Sequence, residues 1–271
     1  MSMRLSSLLA LATLAGFASR AAGHEFWIEP SSFQPKSGSD VRVSLKVGQR
    51  LVGESVPRKA DRIARFFAVG PAGEVEVGGD DGGEPAGTLR VERSGLMILG
   101  FRSNRASIEL PAEQFETYLE EEGLGHIREL RRHKQQSGAL VREVYSRCAK
   151  SLIAVDGNAD GDAGRPLGFT LEIIPEGNPC RLRPGAKLGV RLLFRGRPLA
   201  DAAVIAICAG HTAAPQRVRT GADGRAEFTL ATPGLWMIHS VHMIEAPPDA
   251  GADWESFWGT LTFELAGAGK P

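Results

Sequence analysis

Short stretches with the pattern of β-strands recur along most of the chain. Residues 41–48 alternate apolar with polar side chains, which is the period of a strand with one buried face. Further strand-like segments follow at 65–69, 74–77 and 95–101, separated by turns rich in Gly, Pro and Asp. Strand character returns after residue 140, so the sequence predicts a mainly β protein.

The period changes to that of a helix between residues 111 and 136. Apolar residues recur there at helical spacing: Phe115, Leu119, Leu124, Ile127 and Leu130. Acidic residues fill other positions: Glu116, Glu120, Glu121 and Glu122. The pattern predicts a helical insertion, broken into two helices near Gly123 and Gly125. A charge run beside an apolar stripe is usually a solvated face, so we expect these carboxylates to be solvated.

The chain is predicted to form two β-sandwich domains. Composition shifts at Glu176-Gly177-Asn178-Pro179, which places an N-terminal sandwich at 24–175 and a C-terminal sandwich at 176–266. In the second, short strands alternate with Gly, Pro and Asp turns. The turn at 196–199 and the Asp-Gly-Arg at 223–225 resemble those of the transthyretin-like or carboxypeptidase-regulatory sandwich. This resemblance implies a fold and leaves the activity open.

The first 23 residues have the order of a secretory signal. Arg4 precedes the apolar run 5–17, and short residues follow it. This run is too short to cross a bilayer, and no later segment has eighteen apolar residues. The mature chain is therefore expected to be periplasmic or secreted, without a membrane span. Small residues permit cleavage after Ala21 or after Gly23, and both remain open.

Charge and motifs exclude several functional classes. The 32 basic and 32 acidic residues balance, which gives no reason to expect nucleic acid as a partner. The sequence lacks the nucleophile elbow, the phosphate loop, the dinucleotide fingerprint and His-Glu-x-x-His. A conventional enzyme is therefore not expected. Cys148, Cys180 and Cys208 are too few for a disulfide framework, which leaves one disulfide plus a free thiol, or three free thiols.

His24 is the leading candidate for metal binding. Cleavage after Gly23 would make it the terminal residue, whose α-amine and imidazole can chelate one metal ion together. A second histidine would complete a site of the histidine-brace type. Cleavage after Ala21 would leave Ala-Gly-His, which offers an amine, two amides and an imidazole. Both sets of nitrogen donors suit copper(II) or nickel(II).

The second ligand is expected among His211, His239 and His242. The period of a strand over 236–243 places His239 with Met237, Val241 and Met243, and His242 with Trp236, Ile238 and Ser240. His239 and His242 then face opposite ways and would not chelate together. We predict His242 as the second ligand, with His239 next. The tryptophans are predicted to be core or sheet-edge residues: Trp27, Trp236, Trp254 and Trp258.

Several motifs give the mature chain a resemblance to one protein family. They are His24 to Pro30, Tyr118 to Leu124, Tyr145 to Arg147, Arg191 to Phe194 with Gly196 to Leu199, Asp223 to Arg225, His242-Met243 and Asp253 to Trp258. The chain resembles exported bacterial proteins of unknown function, some of which accompany nickel and cobalt uptake transporters of the energy-coupling type. The resemblance implies a periplasmic, sandwich-type protein.

The favoured hypothesis is a periplasmic accessory protein for transition-metal uptake or handling. It would capture nickel, cobalt or copper at His24, with help from His242 or His239, and deliver the ion to an uptake transporter in the inner membrane. The alternative is a binding module without metal, in which sandwich edges and exposed tryptophans contact a protein or glycan of the cell envelope. A third hypothesis is a redox enzyme with copper at the same histidines.

Overall fold

The computed structural model describes residues 24–267, so the predicted signal segment lies outside the described residues. The strands are β1 (Glu25–Pro30), β2 (Ser39–Gln49), β3 (Val52–Val56), β4 (Ile63–Gly70), β5 (Gly73–Glu76), β6 (Gly87–Val91), β7 (Gly95–Ser103), β8 (Ala106–Leu110), β9 (Val141–Val155), β10 (Leu171–Pro175), β11 (Ala186–Phe194), β12 (Arg197–Pro198), β13 (Ala203–Cys208), β14 (Gln216–Arg219), β15 (Arg225–Leu230), β16 (Gly234–Glu245) and β17 (Trp254–Leu265). The helices are α1 (Ala112–Glu121) and α2 (Gly125–His133). The prediction of a mainly β protein is confirmed.

These strands form three sheets. The first contains β1, β2 and β3 in that order, with β6 also paired to β2. The second contains β10, β11 and β12, with β15 paired to β11. The third has the order β14-β13-β16-β17-β9-β7-β4-β5, with β8 paired to β9. This third sheet is the centre of the molecule, because both smaller sheets pack against it.

One parallel pairing joins strands from the two predicted domains. β9 precedes the boundary at 175/176 and β17 follows it, yet the two pair in parallel from Trp254 opposite Glu143 to Thr262 opposite Ser151. Their neighbours in the sheet pair antiparallel to them. β10 also precedes the boundary and pairs with β11 after it. Hydrogen-bonded sheets therefore continue across the position where composition shifts.

The central sheet is covered on both faces. On one face, Trp236 and Ile238 pack with Val190 and Phe228 of the second sheet. On the other face, the first sheet covers one part, α1 and α2 cover another, and Thr262 Oγ1 donates a hydrogen bond to the Ile28 carbonyl oxygen at 2.9 Å. All four tryptophans are buried, as predicted for core residues: Trp27, Trp236, Trp254 and Trp258.

The helical insertion has the predicted break. α1 ends at Glu121 and α2 begins at Gly125. Between them, Gly123 has a φ of 68°, and a Cβ on it would lie 2.7 Å from the Cβ of Ala203. A glycine is needed there because the backbone is left-handed and passes close to β13. The break therefore fixes how the end of α1 meets the central sheet.

An ion pair lies inside the core. Lys150 on β9 and Glu172 on β10 are both almost fully buried, and the Lys150 Nζ atom lies 2.9 Å from a Glu172 carboxyl oxygen. The Glu172 carboxylate also accepts hydrogen bonds from the backbone N–H groups of Leu167, Gly168 and Phe169. Both charges are thus compensated, as burial requires.

The three cysteines are free thiols in the structure. Cys148 and Cys208 are buried, and Cys180 is half-buried. Of the two possibilities left open by the sequence, the structure has the three free thiols. Neither α1 nor α2, the helices of the described part of the chain, is long and apolar enough to cross a membrane.

Candidate functional site

His24 lies at the edge of an open groove, immediately before β1. The groove has a volume of about 830 Å³. The turn between β2 and β3 lines it, and so does the loop after β13, which contributes Gly210, His211 and Thr212. The fold therefore brings His24 and His211 to the same groove, although 186 residues separate them in the sequence (211 − 24 − 1).

The β2–β3 turn consists of two residues with left-handed backbone. Arg50 has a φ of 55° and Leu51 a φ of 63°. Positive φ at both positions is the geometry of a type I′ hairpin turn, which usually contains Asn-Gly or Asp-Gly. The side chain of Leu51 is buried in a cluster with Trp27. This packing fixes the turn against β1 and holds it beside His24.

Arg50 connects this turn to β1 and to the loop that carries His211. Its backbone N–H donates a hydrogen bond to Glu25 Oε2 at 3.1 Å. Its guanidinium Nη2 donates to the carbonyl oxygens of His211 at 3.3 Å and Ala213 at 2.7 Å. A single residue therefore contacts both the strand that begins beside His24 and the loop of His211.

Three buried titratable side chains lie together where β1, β16 and the end of α1 meet. His239 on β16 is 3% exposed, Glu25 is 8% exposed and Glu122 is 4% exposed. The Nε2 atom of His239 is 4.0 Å from Glu25 Oε1, and its Nδ1 atom is 3.6 Å from Glu122 Oε2. The two ring nitrogens thus face different carboxyl groups. Because the two nitrogens point in different directions, the three side chains do not surround one metal position.

Burial sets the protonation of this group. It raises the pKa of Glu25 to about 7 and that of Glu122 to about 8, and it lowers the pKa of His239 to about 3. The positive charge of Arg217 further lowers the pKa of His239. At neutral pH His239 is therefore neutral and Glu122 retains its proton. No hydrogen bond joins the described atoms of His239 to either carboxyl group, and Glu122 Oε2 and His239 Nδ1 have no hydrogen-bond partner among the described residues.

His242 lies in different surroundings from His239. Its imidazole packs against the Phe194 ring, with the ring centroids 4.4 Å apart. It lines a separate cavity of about 270 Å³ together with His126 and Asp201. Burial lowers the pKa of His242 to about 4. The structure thus gives the three histidines predicted as ligands, His24, His242 and His239, three different environments, and places His211 with the first.

No set of three or more His, Cys, Asp and Glu side chains within residues 24–267 has the arrangement of a metal site. The nitrogen donors among the imidazoles that line the groove are those of His24 and His211, and Gln49, Glu54 and Thr212 add side-chain oxygen atoms to the lining. Cleavage after Gly23 would add the α-amine of His24 as a third nitrogen. Three nitrogens of this kind fit copper(II) or nickel(II) better than hard cations, which prefer oxygen.

The expectation that Glu122 belongs to a solvated face is wrong. Glu122 lies seven residues after Phe115 and three after Leu119, so it continues the buried stripe of α1 at the end of the helix. It is covered because Gly123 turns the chain against β13. The spacing of Glu122 from Phe115 and Leu119 indicated a buried position. The neighbouring acidic residues indicated a solvated one instead. Glu25 carried no comparable signal, because β1 is buried on both sides.

Comparison with known proteins identifies the family. The chain belongs to the family of the domain of unknown function DUF4198, whose sequence profile matches residues 21–244. No curated protein matches the chain significantly.

Solved structures with similarity to the chain are distant. The D0-D1 domain of intimin is 11% identical, with a TM-score of 0.22, over 89% of this chain and 98% of that chain. A tetra-tandem repeat in the extending region of a large adhesion protein is 10% identical, with a TM-score of 0.23, over 90% of this chain and 49% of that chain. Superpositions this weak support no inference about the function of the present chain.

Proposed function

We propose that this DUF4198 protein captures a transition-metal ion outside the cytoplasm and passes it to an uptake transporter in the inner membrane. Nickel, cobalt and copper are the candidate ions. The observation that carries the proposal is that His24 and His211 line one open groove. The resemblance to exported proteins that accompany nickel and cobalt transporters supports the role in uptake.

The donor set argues for a nitrogen-rich site. After cleavage at Gly23, the α-amine and the imidazole of His24 form a chelate, and the imidazole of His211 supplies a third nitrogen. Neutral imidazole is the commonest protein ligand for such metals. His211 is the partner in this proposal because both nitrogens of His239 face carboxyl groups and His242 lines another cavity.

The position of cleavage decides how much His211 contributes. Cleavage after Ala21 would give the terminus Ala-Gly-His, in which four nitrogens of the terminus bind the ion in a plane. His211 would then be dispensable for affinity. The effect of His211 on binding therefore reports which of the two termini the mature protein has.

Release to a transporter requires an accessible ion. His24 is half-exposed and the groove is open to solvent, so an ion held there can reach a partner protein without unfolding of the chain. A resident catalytic or structural ion is usually more enclosed and has further ligands. An open site with few side-chain ligands suits a cargo ion.

Intact mass and calorimetry of the secreted protein test the proposal. The mass fixes the terminus, and titration with copper(II), nickel(II) and cobalt(II) gives affinity and stoichiometry. We expect one ion per chain and a loss of affinity in His24→Ala. With His24 as the terminus, His211→Ala should also weaken binding, by about 10- to 100-fold. His133→Ala, a change at a histidine of α2 outside the groove, is the matched control. Absence of tight binding by the processed wild-type protein would contradict the proposal.

The alternative of a metal-free envelope module lacks its expected surface. That hypothesis relied on exposed tryptophans, above all Trp254 and Trp258. They are 1% and 5% exposed, because they pack under α1 and α2. A stacking platform for glycan rings is therefore not formed by these residues.

A further inference from the structure

We infer that Arg50 is a positioning residue, which holds the loop of His211 beside His24 so that one metal ion can meet both imidazoles. This inference rests on the proposed metal site and names a residue outside the donor set. Arg50 supplies no ligand itself. Its role is to fix the distance between two ligands that lie far apart in the sequence.

The contacts of Arg50 reach both sides of the groove. Its backbone N–H binds the carboxyl group of Glu25, the residue next to His24. Its side chain binds the carbonyl oxygens of His211 and Ala213. Hydrogen bonds from a charged donor are about twice as strong as neutral ones. The planar guanidinium also holds two acceptors in one fixed geometry, which a lysine does not do.

The backbone at Arg50 supports a functional role. Residues with a Cβ are disfavoured at positive φ, and such residues often occur where the rest of a site requires them. At Leu51 the buried side chain compensates for this conformation. The side chain of Arg50 is exposed, so burial does not compensate there. What Arg50 contributes instead is its pair of bonds to the loop.

Arg50→Asn separates the positioning role from folding. Asparagine tolerates the left-handed region better than most residues, and it lacks the guanidinium. We therefore expect the Tm of the variant to equal or exceed that of the wild type. In protein that begins at His24, the Kd for copper(II) should rise by about 10- to 100-fold. Arg50→Lys keeps the positive charge but lacks the planar guanidinium. Its Kd for copper(II) should lie between those of the wild type and Arg50→Asn.

The control is Arg90→Asn. Arg90 is an exposed arginine of β6 that binds Asp40 of β2 at 3.2 Å, and it does not line the groove. Its replacement should leave copper affinity unchanged. In the electron paramagnetic resonance spectrum of the copper(II) protein, Arg50→Asn should resemble His211→Ala, with fewer coordinated nitrogens than Arg90→Asn. A general loss of stability would not produce that spectrum.

Amide hydrogen exchange of the metal-free protein makes the inference independent of metal binding. The backbone N–H of His211, which donates to the Cys208 carbonyl oxygen at 3.4 Å, should exchange faster in Arg50→Asn than in Arg90→Asn. Failure of the wild type to bind metal would contradict the proposed function. Faster exchange in Arg50→Asn would then still support the positioning of the His211 loop by Arg50. Unchanged exchange would overturn the inference. Unchanged copper affinity and spectrum in Arg50→Asn would also overturn it where the mature wild type begins at His24 and binds copper.

Discussion

The Nδ1 atom of His239 lies 3.6 Å from the Oε2 atom of Glu122, and neither atom has a hydrogen-bond partner among the described residues. Both side chains are buried, so an unpaired charge on either one would be costly. A protonated Glu122 beside a neutral His239 avoids both charges. The pair therefore links the stability of the fold to pH.

Glu122 should make the protein less stable as pH rises. Its pKa is about 8 in the folded state, against an ordinary value of 4.5, so the folded state holds a proton that the unfolded state has lost. The stabilisation is complete below about pH 4.5 and is lost as pH rises to about 8. Its slope is at most about 1.4 kcal/mol per pH unit. Glu122→Gln should remove this slope, measured by urea unfolding between pH 6.5 and 8.

Above pH 6.5 the pH dependence of stability reports on Glu122 without a contribution from His239. The pKa of His239 is lowered to about 3 from 6.5, so its contribution is lost only as pH falls below 6.5. Glu25 still titrates in this window, which is why the difference between variant and wild type is the quantity to compare. Glu120→Gln, a change at an exposed glutamate of α1, should keep the wild-type slope. Parallel curves for wild type and Glu122→Gln would contradict the prediction.

Much of the fold could be predicted from local sequence. The alternation at 41–48 lies within β2. The apolar stripe lies in α1 and α2 except for Leu124, which immediately precedes α2, because each pattern reflects which face of its own element is buried. The site depended on information of another kind. The proximity of His211 to His24 results from a loop conformation and from Arg50, and a local period contains neither. Long-range strand pairing is equally invisible to a local pattern.

The buried ion pair should be far more important to stability than an exposed one. Glu172→Gln leaves the charge of Lys150 without its partner inside the core, and we expect a loss of about 3–5 kcal/mol in the free energy of unfolding. Glu227→Gln breaks the exposed pair between Glu227 and Lys187, whose atoms are 2.6 Å apart, and should have a far smaller effect, because solvent screens this pair. Chemical denaturation of the two variants checks this. Equal losses would contradict the burial argument.

Three free thiols should be found in the purified protein. Alkylation after unfolding without reductant should add three groups per chain, because Cys148, Cys180 and Cys208 are all unpaired. In the folded protein all three should react slowly, because burial raises the pKa of the Cys180 thiol to about 12, burial also raises the pKa of the Cys148 thiol, and Cys208 is buried. Mass spectrometry gives both results. A single added group after unfolding would indicate a disulfide instead.

The segment 24–175 should not fold when produced alone. It would lack β17, which pairs with β9 along nine residue pairs from Trp254 to Thr262, and the hydrophobic faces that β9 shares with it would be exposed. We expect poor dispersion in its amide NMR spectrum and no cooperative unfolding. Addition of the segment 176–266 in trans is the control. A well-dispersed spectrum of the first segment alone would show that the boundary separates independent domains.

The hydrogen bond from Thr262 to the Ile28 carbonyl joins β17 to β1, the last and the first strand within residues 24–267. Ile28 is among the earliest residues of the folded body to be synthesised, and Thr262 is among the latest. The strand that begins beside His24 consequently gains its final support only when translation is nearly finished. A chain that ended before β17 would lack this bond, so the support of β1 beside His24 depends on a residue more than two hundred positions away in the sequence.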